Sequence, residues 1–207
     1  MAGQASSLPQ AVLLGHSFVH GTLKHLLHSA PVTPRGICRI LRLTNLLSGF
    51  QMHGLRGGMV TSPDFAFPSE ELKMQAPKFA ILDFGSNDIV NGADPLQIAV
   101  TLFDLANELV NTYSVSRVAI SSIIPRHHAL RGMTPKQFGE IAHKVNHYVK
   151  VMCAGDPNIS YHVHQGFWVP HYVTWSRDGV HPNTQLGRKM YLRSMRKAIF
   201  KILPGTH

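Results

Sequence analysis

The stretch 79–88, FAILDFGSND, joins a short apolar run to a polar end that contains glycine. An apolar run of this length, closed by turn-forming residues, is typical of a fully buried β-strand. Similar runs at 11–14 and 118–124 predict two more strands, and weaker runs at 37–43 and 159–163 predict a fourth and a fifth. Strands that are apolar throughout are typical of parallel sheets, whose two faces are both covered by helices.

Helical periodicity fills the intervals between these strands. The helix with the clearest start has an N-cap at Thr134, a proline at its first position and Gln137 placed to complete a capping box. Strands that alternate with helices of this length predict βαβ units with right-handed crossovers, so the fold class is α/β with a mainly parallel sheet. The predicted helices span 17–29, 95–112, 134–153 and 183–202.

Length and composition restrict the class of protein. With 207 residues, 44% of them apolar and 15% charged, the chain is expected to form one packed domain over residues 1–207. It has no uninterrupted apolar run of about 18 residues, so no membrane-spanning helix is expected. The first residues lack the positive charge and long apolar stretch of a signal peptide. Because Cys38 and Cys153 lie far apart and in no metal-type spacing, we expect an intracellular, cytoplasmic protein without disulfides.

The chain is basic, with 20 Lys and Arg against 11 Asp and Glu and a formal charge of +9. This balance favours contact with an anionic partner, either nucleic acid or an anionic membrane. In the helix at 183–202, apolar residues at spacings of three and four predict a buried stripe opposite an arc of basic residues. That arc is either a solvated face or a surface for weak nucleic-acid or membrane contact. The stripe is Tyr191, Met195, Ala198 and Ile202, and the arc is Lys189, Arg193, Arg196, Lys197 and Lys201.

Polar residues cluster at the carboxyl ends of the predicted strands, which is where α/β sheets hold their functional sites. Gly15-His16-Ser17 closes the first strand, and Gly85-Ser86-Asn87-Asp88 follows the third. Gly54-Leu55-Arg56-Gly57-Gly58 lies between them, and Asp178-Gly179-Val180-His181 precedes the last helix. Each piece alone is common in loops, whereas the four together on strand ends are much more specific.

In this order the four pieces resemble the blocks of the SGNH (GDSL-type) hydrolase superfamily, over residues 12–203. The resemblance implies a three-layer sandwich with a five-stranded parallel sheet of order 2-1-3-4-5. It also implies a catalytic triad of Ser17, Asp178 and His181, an oxyanion hole formed by Ser17, Gly57 and Asn87, and no metal or other cofactor. One residue departs from the family pattern, because the aspartate before the nucleophile is replaced here by His16.

These residue types suit acyl transfer. A serine hydroxyl needs a neighbouring base, for which His181 is the candidate, and Asp178 would fix the tautomer of that histidine. The predicted function is therefore a serine esterase that hydrolyses carboxylic esters, such as acetyl groups on lipid or carbohydrate, through an acyl-enzyme. The predicted substrate contacts are Trp168, Trp175 and Ile89.

Alternatives remain at the level of sequence. The chain could be an inactive hydrolase-fold module that binds nucleic acid or anionic lipid, and some retrotransposon-encoded proteins contain domains that resemble this family. Ser17 could be a helix cap. A classical α/β-hydrolase is set aside, because residues 15–19 lack the second glycine of its nucleophile elbow. The remaining histidines are expected to be solvated, although the pair at 143 and 147 has a spacing that can bind metal. His127 or His128, which follow the fourth predicted strand, could instead border the site. The histidines concerned are His127, His128, His143, His147, His162 and His164.

Overall fold

The computed structural model describes residues 8–22, 33–65, 67–128, 130–168, 175–182 and 184–205. Within them a five-stranded parallel sheet has the order β2-β1-β3-β4-β5, as the resemblance implied. The strands are β1 (Gln10–Gly15), β2 (Gly49–Gly54), β3 (Phe79–Asp83), β4 (Arg117–Ser121) and β5 (Ile159–His162). The predicted α/β class is therefore confirmed.

Helices follow the strands along the chain. They are α1 (Pro34–Ile40), α2 (Ser69–Gln75), α3 (Ser86–Val90), α4 (Pro95–Asn111), α5 (Pro135–Met152) and α6 (Gln185–Ile202). The three long helices agree with the predicted ones to within two residues. Helical residues 17–22 follow β1, and the remainder of the helix predicted at 17–29 lies outside the described residues. No helix in the described part of the chain is long and apolar enough to cross a bilayer.

The sheet separates two hydrophobic cores. Leu13 and Ile81 point to one face and pack with α1 and α6, whereas Leu14 and Leu82 point to the other and pack with α4 and α5. Successive strand residues alternate between the faces, and both sets are buried. This alternation places helices on both sides of the sheet and leaves its carboxyl edge open.

The long helices form for the reasons given by the sequence. The Thr134 hydroxyl accepts a hydrogen bond from the backbone N–H of Gln137, and the Gln137 side chain binds the Thr134 backbone in return. The predicted stripe of α6 is fully buried, and four of the five predicted basic residues are exposed, with Arg196 partly exposed. The amphipathic pattern thus predicted both the position and the rotation of α6.

The strand predicted at 37–43 is wrong. That segment forms most of α1 and the turn after it, because Thr33 caps the helix by accepting from the Gly36 N–H and Pro34 occupies its first turn. The actual second strand is β2, whose sequence GFQMHG lacks a continuous apolar run. It lies at the edge of the sheet, where half of its residues are only partly buried, so its pattern is weak.

Asn146 on α5 provides a test of how the loop after β4 is fixed. Its side-chain oxygen accepts from the Ile123 N–H at 2.7 Å, and its amide donates to the Ile123 carbonyl at 3.0 Å, in a buried setting. Asn146→Ala leaves two backbone groups without partners, and we expect a loss of about 2–4 kcal/mol in the free energy of unfolding. Urea titration measures it. His147→Ala, which changes an exposed neighbour on the same helix, is the control, and equal stability of the two variants would contradict this role of Asn146.

Candidate active site

Two glycines position the nucleophile candidate. A Cβ added to Gly15 would lie 2.3 Å from Val19 Cγ2 and 2.8 Å from the Asp83 carbonyl, and one added to Gly54 would lie 2.3 Å from the His20 nitrogen. Neither position has room for a side chain. The backbone of residues 15–20 therefore packs directly against β3 on one side and β2 on the other, which fixes Ser17 at the start of its helical segment.

The structure brings the three predicted triad residues together across the carboxyl edge of the sheet. Ser17 Oγ lies 2.9 Å from His181 Nε2, and His181 Nδ1 lies 2.7 Å from Asp178 Oδ2. The Asp178 carboxylate also accepts from Ser176 Oγ at 2.6 Å and from the backbone N–H groups of Val180 and His181 at 2.9 and 3.0 Å. The turn that holds His181 is therefore built around Asp178.

The charge of Asp178 determines which nitrogen of His181 holds the proton. Partial burial raises the pKa of Asp178, but the hydrogen bonds from Ser176, His181 and Val180 lower it further, to well below its usual value. An ionised carboxylate only accepts hydrogen bonds, so His181 Nδ1–H donates to it. In the neutral imidazole Nε2 is then an acceptor, and the Ser17 hydroxyl can donate to it.

The predicted oxyanion donors lie on the two strands beside β1. Gly15 pairs with Gly54 of β2 and with Asp83 of β3, so the loops that follow begin level with Ser17. Asn87 Nδ2 donates to the Gly58 carbonyl at 3.2 Å. The Gly58 N–H is occupied by the Leu55 carbonyl at 3.1 Å, which favours Gly57 as the donor of the pair. Convergence of these groups on one oxyanion position stays a prediction.

A buried carboxylate fixes the loop that contains Gly57. Asp88 is fully buried, and its Oδ1 accepts from the backbone N–H and from the hydroxyl of Thr61, both at 2.8 Å. Asp88 belongs to α3, next to Asn87, so it ties the loop after β2 to the helix after β3. The sequence did not indicate this contact, because the partner of Asp88 lies 27 residues away.

Arg126 is a site residue that the sequence did not reveal. Its guanidinium donates to Ser86 Oγ at 2.8 and 3.1 Å, to the Ser86 carbonyl at 3.2 Å and to Asn87 Oδ1 at 3.2 Å, and it lies over the Phe138 ring. Burial lowers the pKa of Arg126 to about 10, against the opposing effect of Asp178, so Arg126 stays charged near neutral pH. A fixed cation thus orients the Asn87 amide, with its oxygen toward Arg126 and its nitrogen toward the loop after β2.

A network of buried polar side chains lies behind Ser17, the nucleophile candidate. Tyr191 OH donates to Asp83 Oδ2, and His164 Nε2 lies 3.8 Å from Asp83 Oδ1. His164 Nδ1 and His162 Nε2 are each 2.9 Å from Ser194 Oγ. The prediction that His162 and His164 are solvated is therefore wrong, since they expose 6% and 1% of their surface. Burial raises the pKa of Asp83, but its contacts with His164, His16 and Tyr191 bring it below its ordinary value.

His16, the residue that departs from the family pattern, lies next to this network of buried side chains. His16 is 1% exposed, its Nδ1 lies 3.3 Å from Ser17 Oγ, and its ring contacts Phe18 edge-on. Burial lowers the pKa of His16 to about 4, with Asp83 opposing and Arg126, His181 and His164 adding to the shift. The residue before Ser17 is thus a neutral imidazole at neutral pH.

The other predicted histidines and the three predicted substrate contacts have varied environments. His128, His143 and His147 are exposed, as predicted, and His127 lies against Trp175. Ile89 and Trp175 expose 1% and 6% and pack within the two cores, and their contact with substrate stays a prediction. Trp168 is partly exposed and stacks on His143 of α5, and its contact with substrate stays a prediction.

An open cavity of about 380 Å³ adjoins Gly57, one of the three predicted oxyanion donors. It lies in the loop after β2, and its walls combine apolar, polar and charged side chains. The residues around it are Leu55, Arg56, Gly57, Gly58, Met59, Ser62, Asp64 and Phe65. Apart from the glycines, no feature of the sequence indicated this cavity.

Solved structures share this architecture, although no family model and no curated protein matches the chain. A carbohydrate esterase family 3 protein from Talaromyces cellulolyticus matches with a TM-score of 0.66 at 14% identity, over 94% of this chain and 97% of that one. A GDSL-like lipase from Bacteroides thetaiotaomicron matches with a TM-score of 0.65 at 16% identity, over 94% and 89%. The chain has the GDSL-like hydrolase fold.

An acetyl esterase mutant solved with an acetate ion has the same fold, with a TM-score of 0.61 at 13% identity over 94% of this chain and 97% of that one. The resemblance that four short motifs indicated is thereby confirmed for the fold. Within the GDSL-like fold, Ser17, His181 and the loops after β2 and β3 lie at the edge of the sheet where α/β folds bind ligands.

The buried imidazole of His16 predicts a dependence of stability on pH. The unfolded chain protonates this histidine near its ordinary pKa of 6.5, whereas the folded chain does so only near 4. The unfolded state therefore takes up more protons in that window, and stability falls as the pH is lowered through it. His16→Asn should reduce this fall, by up to about 3 kcal/mol. Urea unfolding at several pH values measures it, with His143→Asn as the exposed control. Identical pH dependence in wild type and His16→Asn would contradict the burial of a neutral imidazole.

Proposed function

We propose that the protein is a serine esterase that hydrolyses short-acyl carboxylic esters through an acyl-enzyme on Ser17. The observation that supports this most directly is the continuous hydrogen-bonded path from Ser17 Oγ through His181 to Asp178, at 2.9 and 2.7 Å. A serine that only capped a helix would have no need of an imidazole and a carboxylate aligned behind it.

In the proposed reaction, Ser17 Oγ attacks the ester carbonyl while its proton passes to His181 Nε2. The resulting imidazolium is stabilised by Asp178, whose carboxylate is held by three further hydrogen bonds. His181 then gives the proton to the leaving alkoxide, and an acyl-Ser17 ester remains. Water, deprotonated by His181, attacks this ester and releases the carboxylic acid and free serine.

The negative charge of the tetrahedral intermediate requires donors placed in advance. We assign that task to the backbone N–H groups of Ser17 and Gly57 and to the Asn87 amide. Asn87 Nδ2 has two hydrogens, and its bond to the Gly58 carbonyl uses one of them. Arg126 acts as a positioning residue, since its cation holds Asn87 Oδ1 and adds positive potential near the site.

The substrate class follows from the cavity beside Gly57. A volume of about 380 Å³ suits a small acyl or sugar group, and its mixed lining suits a polar leaving alcohol more than a long lipid chain. An acetyl esterase and a carbohydrate esterase are among the proteins with this fold. We therefore favour acetylated carbohydrates over acetylated lipids as substrates.

An intracellular setting is part of the proposal. Cys38 and Cys153 are both buried and unpaired, and they belong to cores on opposite faces of the sheet. They cannot approach each other while the sheet lies between them. Buried free thiols are compatible with a reducing compartment.

The proposed triad is tested with p-nitrophenyl acetate and a fluorophosphonate. Ser17→Ala and His181→Ala should each lower turnover by at least about 10³-fold, with a double variant hardly worse, because the residues act as a unit. The wild type should be labelled by the fluorophosphonate at Ser17, as located by mass spectrometry, and His181→Ala should label far more slowly. Ser176→Ala, which removes one of four hydrogen bonds to Asp178, should cost much less.

His143→Ala, an exposed histidine on α5, is the matched control for loss of an imidazole. Absence of both turnover and labelling in a folded wild type would refute the esterase proposal. The alternative of an inactive binding module would then be preferred. His16→Asp would be the first variant to make, because it introduces the aspartate that the family has at this position.

The positioning role of Arg126 gives a second test. Arg126→Gln should lower kcat by up to about 10²-fold with little change in KM. A loosely held Asn87 would stabilise the oxyanion of the transition state less well, whereas binding of the substrate in its ground state would change little. Asn87→Ala should cost about 10²–10³-fold, and adding Arg126→Gln to it should cost little more. Arg131→Gln, on the same loop and exposed, is the control. Additive losses in the double variant would show that Arg126 does not act through Asn87.

A further inference from the structure

Negative charges are distributed unevenly along this chain. Residues 1–63 and 179–207 contain none of the 11 Asp and Glu but eleven of the 20 Lys and Arg. All 11 carboxylates therefore lie between residues 64 and 178. A chain that used basic residues only to remain soluble would have no reason to exclude carboxylates from 92 of its residues.

The fold brings the two acid-free segments together. They supply β1, β2, α1 and α6, and α1 and α6 pack on the same face of the sheet. The helices of the opposite face hold exposed carboxylates at Glu70, Glu71, Asp104 and Glu108, among others. One face of the molecule is thus basic without any acidic side chain in its helices, and the other is mixed.

A groove of about 480 Å³ lies between α1 and α6 on the basic face. Four cations line it, Arg42, Lys189, Arg193 and Arg196, above a floor that includes Leu41 and Leu192. None of the chain's carboxylates lines it, and no ion pair found among the described residues involves these four. Arg193 also lines an adjoining groove together with Lys197, so the basic track continues along α6.

The spacing of these cations suits a chain of phosphates. On a helix, residues 189, 193 and 196 succeed one another by ~6 and ~4.5 Å along the axis and stay on one side. A nucleic-acid strand presents one phosphate per ~3.4 Å of duplex axis, so such a row can meet two or three of them. The planar guanidinium of arginine binds phosphate oxygens in pairs. Arg196 is stacked over the Phe200 ring, which limits its conformations before a ligand arrives.

The shape of the surface distinguishes nucleic acid from membrane. Proteins that bind a bilayer surface insert exposed apolar side chains among the lipids. Here the apolar stripe of α6 is buried in the core, and Leu41 on the groove floor is 3% exposed. Ile40, at 49% exposure, is the one strongly exposed apolar residue among those lining the groove. A flat bilayer would not reach the floor of a groove that a flexible strand can enter.

We infer that the groove between α1 and α6 binds the phosphodiester backbone of nucleic acid. The contact is electrostatic and independent of base sequence, since the polar groups that line the groove are the four cations, which bind phosphate oxygens. None of the residues lining the groove lines the cavity beside Gly57, so nucleic acid and ester would occupy separate surfaces. This inference does not depend on esterase activity.

The test is fluorescence anisotropy of a labelled oligothymidylate, titrated with the full chain over a series of salt concentrations. Arg42→Gln/Arg193→Gln/Arg196→Gln should weaken binding at low salt by about tenfold or more and lower the slope of log K against log salt by about 2. The matched control is Lys136→Gln/Lys144→Gln/Lys150→Gln, which removes the same charge from exposed positions on α5. That control should retain most of the affinity and of the slope.

Thermal unfolding of both triple variants verifies that they are folded, and p-nitrophenyl acetate turnover verifies that the site is unchanged. Equal losses of affinity in the two triples would overturn the inference, because binding would then follow net charge and not the groove. So would tight binding to phosphatidylserine-containing vesicles with no measurable binding to the oligothymidylate. Unchanged affinity in the groove triple would overturn it as well.

Discussion

The parallel pairing of β1 with a neighbour on each side is the constraint on which the rest of the site depends. Because Gly15 is level with both Gly54 and Asp83, three loops leave the sheet at the same height. The middle loop begins with Ser17, and its neighbours contain Gly57 and Asn87. Residues far apart in sequence thus meet at one edge of the sheet because the strands that precede them are paired.

The ionisable groups at this edge of the sheet differ in their charge. Asp178 is held ionised by donors on its own turn, and Arg126 is held charged behind Asn87, whereas His16 and His162 are held neutral by burial. Ser17 is thus linked through His181 to a fixed anion, and Asn87 is held by a fixed cation. In the proposed mechanism, the anion would favour movement of a proton away from Ser17, and the cation would favour negative charge beside Asn87.

The sequence predicted the parts of this structure that depend on periodicity and on local chemistry. The long helices, four of the five strands and the meeting of Ser17 with His181 and Asp178 follow from apolar runs, caps and motifs at strand ends. β2 was missed because an edge strand with glycine at both ends has no strong apolar pattern. Arg126, Asp83 and Tyr191 were missed for another reason, since their partners are 40 or 108 residues away and only the folded chain reveals the pairing. His162 and His164 were predicted solvated because polarity alone does not disclose a buried partner such as Ser194.

The close backbone contacts at Gly15 and Gly54 have a consequence for how this sequence can diverge. The atoms that crowd the two glycines include main-chain atoms, the Asp83 carbonyl at Gly15 and the His20 nitrogen at Gly54, and main-chain atoms are the same whatever the residue. The side chain of the residue before Ser17 therefore does not determine the turn, and an imidazole can occupy the position of a carboxylate. Gly15 and Gly54 cannot be substituted in this way, because neither position has room for a side chain. Divergence around Ser17 should therefore be nearly closed at the two positions that have no side chain at all.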